Sequence, residues 1–384
     1  MAPVDLTGVP VIDNHCHPVE RVQQHTDVHA WRGLFTESVD PLARNQHAAD
    51  TTFYRRLLRA MAELHGIGGD DPDEAAVLTA RARLTTTELV STLFRSAGID
   101  AVVVDTGFPP PPICLPAAEL TAAGGVRQAS LLRLELLFQD LITQVRTLPE
   151  LVGLVDAELI DVRAQGWAGF KTIAGYRTGL GIRHWPSDDA TASFNDARAE
   201  VDASGAVRLG HKPLLDTLLH RAFAAAATQE LPVQVHVGYG DADVDLRAAS
   251  PLELREVLHE PAYRGMAVVL LHGCWPYFRE GAYLAAVHDN VHLDLSYAIP
   301  FLSVAEMTSM TRAALGAAPF AKLMYSSDGA RVPELHWLGA RDGRRVLGAC
   351  LGELVADGDL SYRQAEDAGA RILAGNARTL YGLA

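Results

Sequence analysis

The sequence predicts an α/β protein, a (β/α)₈ TIM barrel with a helical insertion after the first strand, and two observations carry that prediction. Short apolar, β-branched runs alternate with longer segments of helical spacing, which is the pattern of βα units around a parallel sheet. Eight such runs occur, and eight parallel strands close into a barrel whose catalytic groups sit at the carboxyl ends of the strands.

In order, the runs are Val9–His17, Ala101–Gly107, Ala129–Glu135, Gly169–Ile173, Val233–Val237, Ala267–His272, Val291–Ser296 and Leu323–Asp328. The connection between the first two is too long for one crossover. Within it Thr52–Leu64 and Asp73–Ser96 have helical composition, so an inserted helical layer over residues 18–97 is expected to cover the barrel mouth. Gly107–Pro116, with four consecutive prolines from Pro109 to Pro112, is expected to be a rigid loop, since proline lacks the N–H that helices and central strands need. There is no internal repeat and no low-complexity linker. The expected organisation is one barrel domain over 1–384 with the insertion inside it.

Bulk properties fit that reading and exclude others. A chain of 384 residues with 48% hydrophobic and 21% charged residues can bury a sizeable core. A net charge of −14 argues against nucleic acid or an anionic membrane as partner, because both need clustered Lys and Arg. The expected partner is a small-molecule substrate, one bearing a carboxylate included, and a homo-oligomer stays open. Cys16, Cys114, Cys274 and Cys350 are far apart and form no Cys-x-x-Cys pair, so reduced thiols are expected. With no basic region leading an apolar run at the N-terminus and no apolar stretch of bilayer length, the expected location is cytoplasmic.

The chemistry concentrates at the ends of the runs. His15 and His17 are two residues apart on the first strand and point to one face, with Cys16 on the other. Two imidazoles so placed can grip a borderline cation such as zinc at about 2.0–2.1 Å. His-x-His alone arises by chance in a chain with 15 histidines. His236 and His272, each ending an apolar strand, make a shared metal site the better explanation than core packing. Asp328 ends the eighth run and adds a carboxylate at the same level, in a position where aspartate otherwise often caps a helix. Lys171 ends the fourth run between apolar neighbours. A cationic lysine repels a metal, so it becomes a ligand only as an anionic carbamate bridging two ions. Otherwise it binds an anionic substrate, or snorkels to solvent.

Taken together, Val-Ile-Asp-Asn-His-Cys-His-Pro, Gly-Phe-Lys-Thr-Ile-Ala-Gly-Tyr-Arg-Thr-Gly-Leu, Val-His-Val-Gly-Tyr-Gly-Asp, Leu-Leu-His-Gly-Cys-Trp-Pro-Tyr and Tyr-Ser-Ser-Asp-Gly resemble the amidohydrolase superfamily. Within it the resemblance is to the amidohydrolase-2 group, which includes the domain attached to a synthetase-like domain in FluG-type proteins, and it covers nearly the whole chain. It implies a metal-dependent hydrolase. His15 and His17 would be ligands and Lys171 a carbamate bridge. His236 and His272 would be further ligands or polarise the substrate, and Asp328 would be ligand and proton shuttle. The implied cofactor is a divalent metal, zinc first and manganese or iron otherwise, as one or two ions. The chain ends at Ala384 without a synthetase-like segment, so an amide or lactam is expected ahead of a γ-glutamyl amide.

On this reading Asp328 takes a proton from water whose pKa a cation has lowered from about 15.7 towards roughly 7, and returns it to the leaving amine. Arg177, six residues past Lys171, can clamp a substrate carboxylate bidentately or remain a surface arginine. Tyr176, Tyr239, Asp241, Trp275 and Tyr297 are weaker candidates for lining the pocket. Non-oxidative decarboxylation of a small carboxylic acid uses nearly the same groups. One metal beside an uncarboxylated Lys171 would favour it. A non-catalytic binding barrel is the third reading, and it leaves the filled catalytic positions without a cause.

Overall fold

The computed structural model describes residues 2–383 apart from 24 and 26. Its eight strands are β1 (Val11–Cys16), β2 (Ile99–Asp105), β3 (Arg127–Arg133), β4 (Trp167–Thr172), β5 (Pro232–Val235), β6 (Ala267–Leu270), β7 (Val291–Ser296) and β8 (Leu323–Ser326). They pair in chain order and every pair is parallel. The seam between β8 and β1 is joined just beyond the strand ends. There the Ser327 amide donates to Asp13 Oδ1 at 2.8 Å and the Asp328 amide donates to the His15 carbonyl at 3.0 Å. The expected barrel is present.

Two apolar layers hold it. Ile12, Ala101, Val103, Leu131, Ala168, Val269, Leu271 and Met324 pack together inside the barrel, with Ala374 of the π-helical turn Arg371–Gly375 and Ala377 and Tyr381 of the last helix, Asn376–Tyr381, joining the same cluster. A larger cluster fills the space between the sheet and the surrounding helices. Each fully buried Val, Leu or Ile in these layers contributes about 1.5–3 kcal/mol.

Most strands stop one or two residues before the expected ends, because the last residues turn outward into the loops. Glu135, expected to end β3, instead lies in the helix Leu134–Gln144. Simple alternation also fails in β1, where a register shift falls between Asp13 and Cys16. Asp13 therefore shares a side with Cys16, facing His336 of the helix Pro333–Ala356. His15 and His17 still converge, with ring centroids 5.1 Å apart.

The long connection after β1 holds the expected helix Thr52–Leu64. The second expected segment is two helices, Glu74–Arg81 and Thr86–Ser96, because Thr85 starts a new helix with a capping box closed by Glu88. The second of these packs against Pro333–Ala356 and Ala117–Gly124, so it serves as the crossover helix into β2 and the added structure precedes it. The proline loop contains one 3-10 turn at Pro111–Ile113, which the fixed φ of proline accommodates. No helix among the described residues is long and apolar enough to cross a membrane. The four cysteines are buried and unpaired.

A fully buried ion pair helps fasten the added helices to the barrel. Arg81 Nε donates to Glu334 Oε1 at 2.5 Å and Nη2 to Oε2 at 3.1 Å, with both side chains 1% exposed. Its remaining donors reach the carbonyl and side chain of Gln23, and its guanidinium lies 4.6 Å from the Trp31 ring centre. Removing one partner leaves a buried charge unanswered, which costs about 3–5 kcal/mol. Arg81→Met is therefore expected to lower the urea midpoint strongly, whereas Arg341→Met, which breaks an exposed pair with Glu63, should leave it nearly unchanged. Equal midpoints for the two variants would refute the anchoring role.

Candidate metal centre

The strand ends bring six predicted residues to one place. His15 is the penultimate residue of β1 and His17 lies just past its end, Lys171 is the penultimate residue of β4, and His236 follows β5 directly. His272 and Asp328 each lie two residues past β6 and β8. His272 and Asp328 hold positive φ, +62° and +58°, a conformation that costs a non-glycine residue on the order of 1–3 kcal/mol and clusters at functional sites.

The hydrogen-bond partners assign the protons. Gln234 Nε2 donates to the Asn14 carbonyl at 2.7 Å and to Tyr381 at 2.8 Å, so its Oε1 must face His15 Nδ1, 2.7 Å away. His15 therefore carries its proton on Nδ1 and leaves Nε2 bare. His17 Nδ1 faces the Asp105 carbonyl at 3.3 Å, which leaves its Nε2 bare as well. His236 Nε2 donates to the Tyr239 carbonyl at 2.6 Å, so its Nδ1 accepts from His272 Nε2 at 2.9 Å. That places the bare nitrogen of His272 at Nδ1.

All three bare nitrogens face the Asp328 carboxylate. His15 Nε2 and His17 Nε2 lie 3.3 and 3.6 Å from Oδ1, and His272 Nδ1 lies 3.4 Å from Oδ2. Lone pairs aimed at a carboxylate repel it unless a cation sits among them. His15, His272 and Asp328 each offer an atom within 4.8 Å of one another, and this nitrogen and oxygen set suits a zinc-class divalent ion. The donors fit a metal. Both ring nitrogens of His236 are engaged, so it touches the centre through His272.

Electrostatics keep the donors in their binding forms. Burial, then Lys171, lowers His15 to about 4, and burial first of all holds His236 and His272 well below the ordinary imidazole range. Burial pushes the Asp328 carboxyl up, and only protonated His272, His15 and His17 rings would draw it well below its usual range; with those rings neutral, a bound cation takes over that part. Lys171 Nζ lies 3.4 Å from His15 Nε2, and burial pulls its amine down to about 8, against Asp105 and Asp328. Asp105 is not free for Lys171, because Arg133 Nε donates to its two oxygens at 3.0 and 3.1 Å.

Above this centre is a cavity of about 350 Å³ whose walls include Lys171, Tyr176, Arg177, Tyr239 and Asp241. The Tyr239 hydroxyl donates to Asp328 Oδ2. Gly238 makes that placement possible, since at φ +79° a Cβ would lie 2.1 Å from the Trp275 carbonyl oxygen. Trp275 is not a wall of this cavity; its indole donates to Glu306 at 3.0 Å and its ring packs on Phe301. Tyr297 is likewise away from it, stacked on Tyr325 and bonded to Thr311. Glu37, Arg133 and Arg208 line the cavity and were not anticipated. Arg133 sits in an expected strand, but Glu37 lies in the added segment with no motif around it. Burial, then Asp328 and Asp241, pushes Glu37 up to about 7.

A model of the amidohydrolase family matches residues 172–383, a span that includes His236, His272 and Asp328. Protein FluG of Emericella nidulans is 37% identical over 224 residues, which is 56% of this chain and 25% of that protein. The chain thus spans about a quarter of the curated relative it matches. A crystal structure from Lactobacillus casei, described as a metal-dependent hydrolase, superposes with a TM-score of 0.88 at 26% identity, covering 100% of this chain and 98% of that one. Uronate isomerase from Thermotoga maritima shares the fold, with a TM-score of 0.69 at 12% identity over 98% of this chain and 95% of that one.

Because Asp328 is, among the described residues, the one carboxylate facing the three bare imidazole nitrogens, Asp328→Asn is expected to weaken divalent-ion binding about 100-fold. Equilibrium dialysis with zinc checks this; unchanged affinity would mean that the ion binds elsewhere.

Proposed function

Because the chain belongs to the amidohydrolase family, and is an enzyme of that type, we propose that it hydrolyses the C–N bond of a small-molecule amide, lactam or γ-glutamyl-type amide. The observation that carries this reading is the Asp328 carboxylate, in contact with three imidazoles and a tyrosine at the floor of a cavity of ligand size.

His15, His17, His272 and Asp328 would hold a divalent ion, zinc first and manganese or iron otherwise, and Lys171 as a carbamate would bridge to a second. When bound, the ion supplies Lewis acidity, which eases deprotonation of water and polarises the substrate carbonyl. Asp328 takes a proton from the attacking water as its oxygen bonds to the carbonyl carbon. As the C–N bond breaks, the same carboxyl delivers that proton to the departing nitrogen. The Tyr239 hydroxyl, aimed at Oδ2, keeps the other oxygen of Asp328 turned towards the histidine pair. His236, anchored on the Tyr239 carbonyl, holds His272 in the tautomer whose Nδ1 faces the centre.

Lys171 decides between one ion and two. Carbamate formation needs the neutral amine, and lowering the pKa from 10.5 to about 8 raises the neutral fraction near pH 7 roughly 300-fold. Protein purified without chelator is expected to carry about two metal ions per chain by elemental analysis, and Lys171→Ala about one or none. At fixed dissolved carbon dioxide, metal reconstitution of the wild type should quicken as pH rises towards about 8, where the amine loses its proton, and level off above it. One ion in both proteins would remove the bridge and turn the site towards decarboxylation. No ion in either would refute the metal-dependent mechanism.

A further inference from the structure

The charges that line the cavity are not random once the internal pairs are set aside. Arg133 is held by Asp105, and Arg208 pairs with Asp243 at 3.0 Å. Asp328 belongs to the ion site, as does Lys171, whose Nζ lies 3.4 Å from His15 Nε2. Three charged groups remain. Arg177, on the short helix Ala174–Arg177 after β4, has no ion-pair or hydrogen-bond partner among the described residues, and its buried Nε is unsatisfied. Glu37 and Asp241 also line the cavity and make no ion pair among the described residues; Asp241 only closes its own turn onto the Asp243 amide.

The charges that act most strongly on Arg177 are Arg208, Glu135, Arg133 and Asp243, whereas those acting on Glu37 are Asp328 and Asp241. Tyr176 stands under the influence of Glu37 and Asp241. The cavity therefore presents a free guanidinium and two free carboxylates on its walls, with the Asp328 carboxylate at its floor. A half-buried guanidinium whose buried Nε has no partner seeks a carboxylate, for which its fork is shaped. Two carboxylates in one pocket repel each other and seek a cation.

Resting on the hydrolase reading above, we infer that the substrate is a zwitterionic amide, an amino-acid derivative whose free carboxylate is held by Arg177 and whose free ammonium is held by Glu37 and Asp241. The same chemistry is available from a dipeptide, in which the charges flank the scissile amide, and from a side-chain amide of an acidic amino acid, in which both charges lie on the acyl side. The volume of about 350 Å³ takes either.

The test uses zinc-loaded protein and five probes: L-alanyl-L-alanine, the side-chain methylamide of L-glutamate, N-acetyl-L-alanine, L-alaninamide and N-acetyl-L-alaninamide. Binding is measured by saturation-transfer NMR and cleavage by amine release. At least one of the two zwitterions should bind about 30-fold more tightly than the neutral N-acetyl-L-alaninamide, and which one does so identifies the source. Arg177→Met should lower affinity for N-acetyl-L-alanine relative to the neutral probe by about 30-fold, and Glu37→Gln should do the same for L-alaninamide. Neutral and zwitterionic probes binding alike, or each variant weakening all probes equally, would overturn the inference. The two readings fail separately. Zwitterion binding without cleavage of any probe refutes hydrolysis and sustains the charge assignment, whereas cleavage of the neutral probe with equal efficiency sustains hydrolysis and refutes the assignment.

Discussion

A carboxylate that faces three unprotonated imidazole nitrogens is unstable by itself, and the rest of this site follows from how that repulsion is answered. The protons on His15, His17 and His272 are committed outward, to Gln234, to the Asp105 carbonyl and to His236. Burial keeps a second proton off His15 and His272. The centre is thus prepared to accept a cation and poorly able to neutralise itself with protons. A weaker commitment of any one outward proton would free that ring to turn and donate to Asp328, and the demand for a metal would fall.

The barrel holds these groups in opposition because its seam passes through them. Asp328 donates its own backbone N–H to the His15 carbonyl, so the β8-to-β1 junction and the ligand geometry are one structure. Asp13 reinforces it from the outer side, accepting from both the amide and the hydroxyl of Ser327. The positive φ of Asp328 is held by such closures, with the helix Pro333–Ala356 packed against β8, and that of His272 by its amide, which donates to Asp294 Oδ1 at 2.8 Å. That helix also receives Arg81, so the segment that contributes Glu37 to the cavity is tied to the element that supports Asp328.

What the sequence revealed and what it concealed divide along physical lines. Strand-end chemistry was legible, because a His, Lys or Asp closing an apolar run has few packing explanations and the fold sends all such ends to one face. The eight strands were legible for the same reason. The side taken by Asp13 was not, since a register shift in β1 breaks the two-residue period on which orientation rests. The division of residues 73–96 into two helices was written in Thr85 and Glu88 but overridden by continuous helical composition. Trp275 looked like a pocket aromatic by position, yet its indole found Glu306 instead. Glu37 had no local signal, because its importance arises from a cavity wall assembled across distant segments.

Lys171 shows how a neighbour's partner can matter more than the neighbour itself. Asp105 is close enough to favour the ammonium, and a direct pair between them would keep the amine charged. Arg133 occupies both oxygens of Asp105 with its Nε and draws that carboxylate well below its usual range despite burial. What remains beside Nζ is the bare Nε2 of His15, a neutral acceptor at 3.4 Å that cannot repay the desolvation of a cation. The pair between the ends of β2 and β3 therefore does more than stabilise the barrel. By taking the carboxylate that Lys171 would otherwise use, it leaves at the centre an amine close enough to neutrality to react.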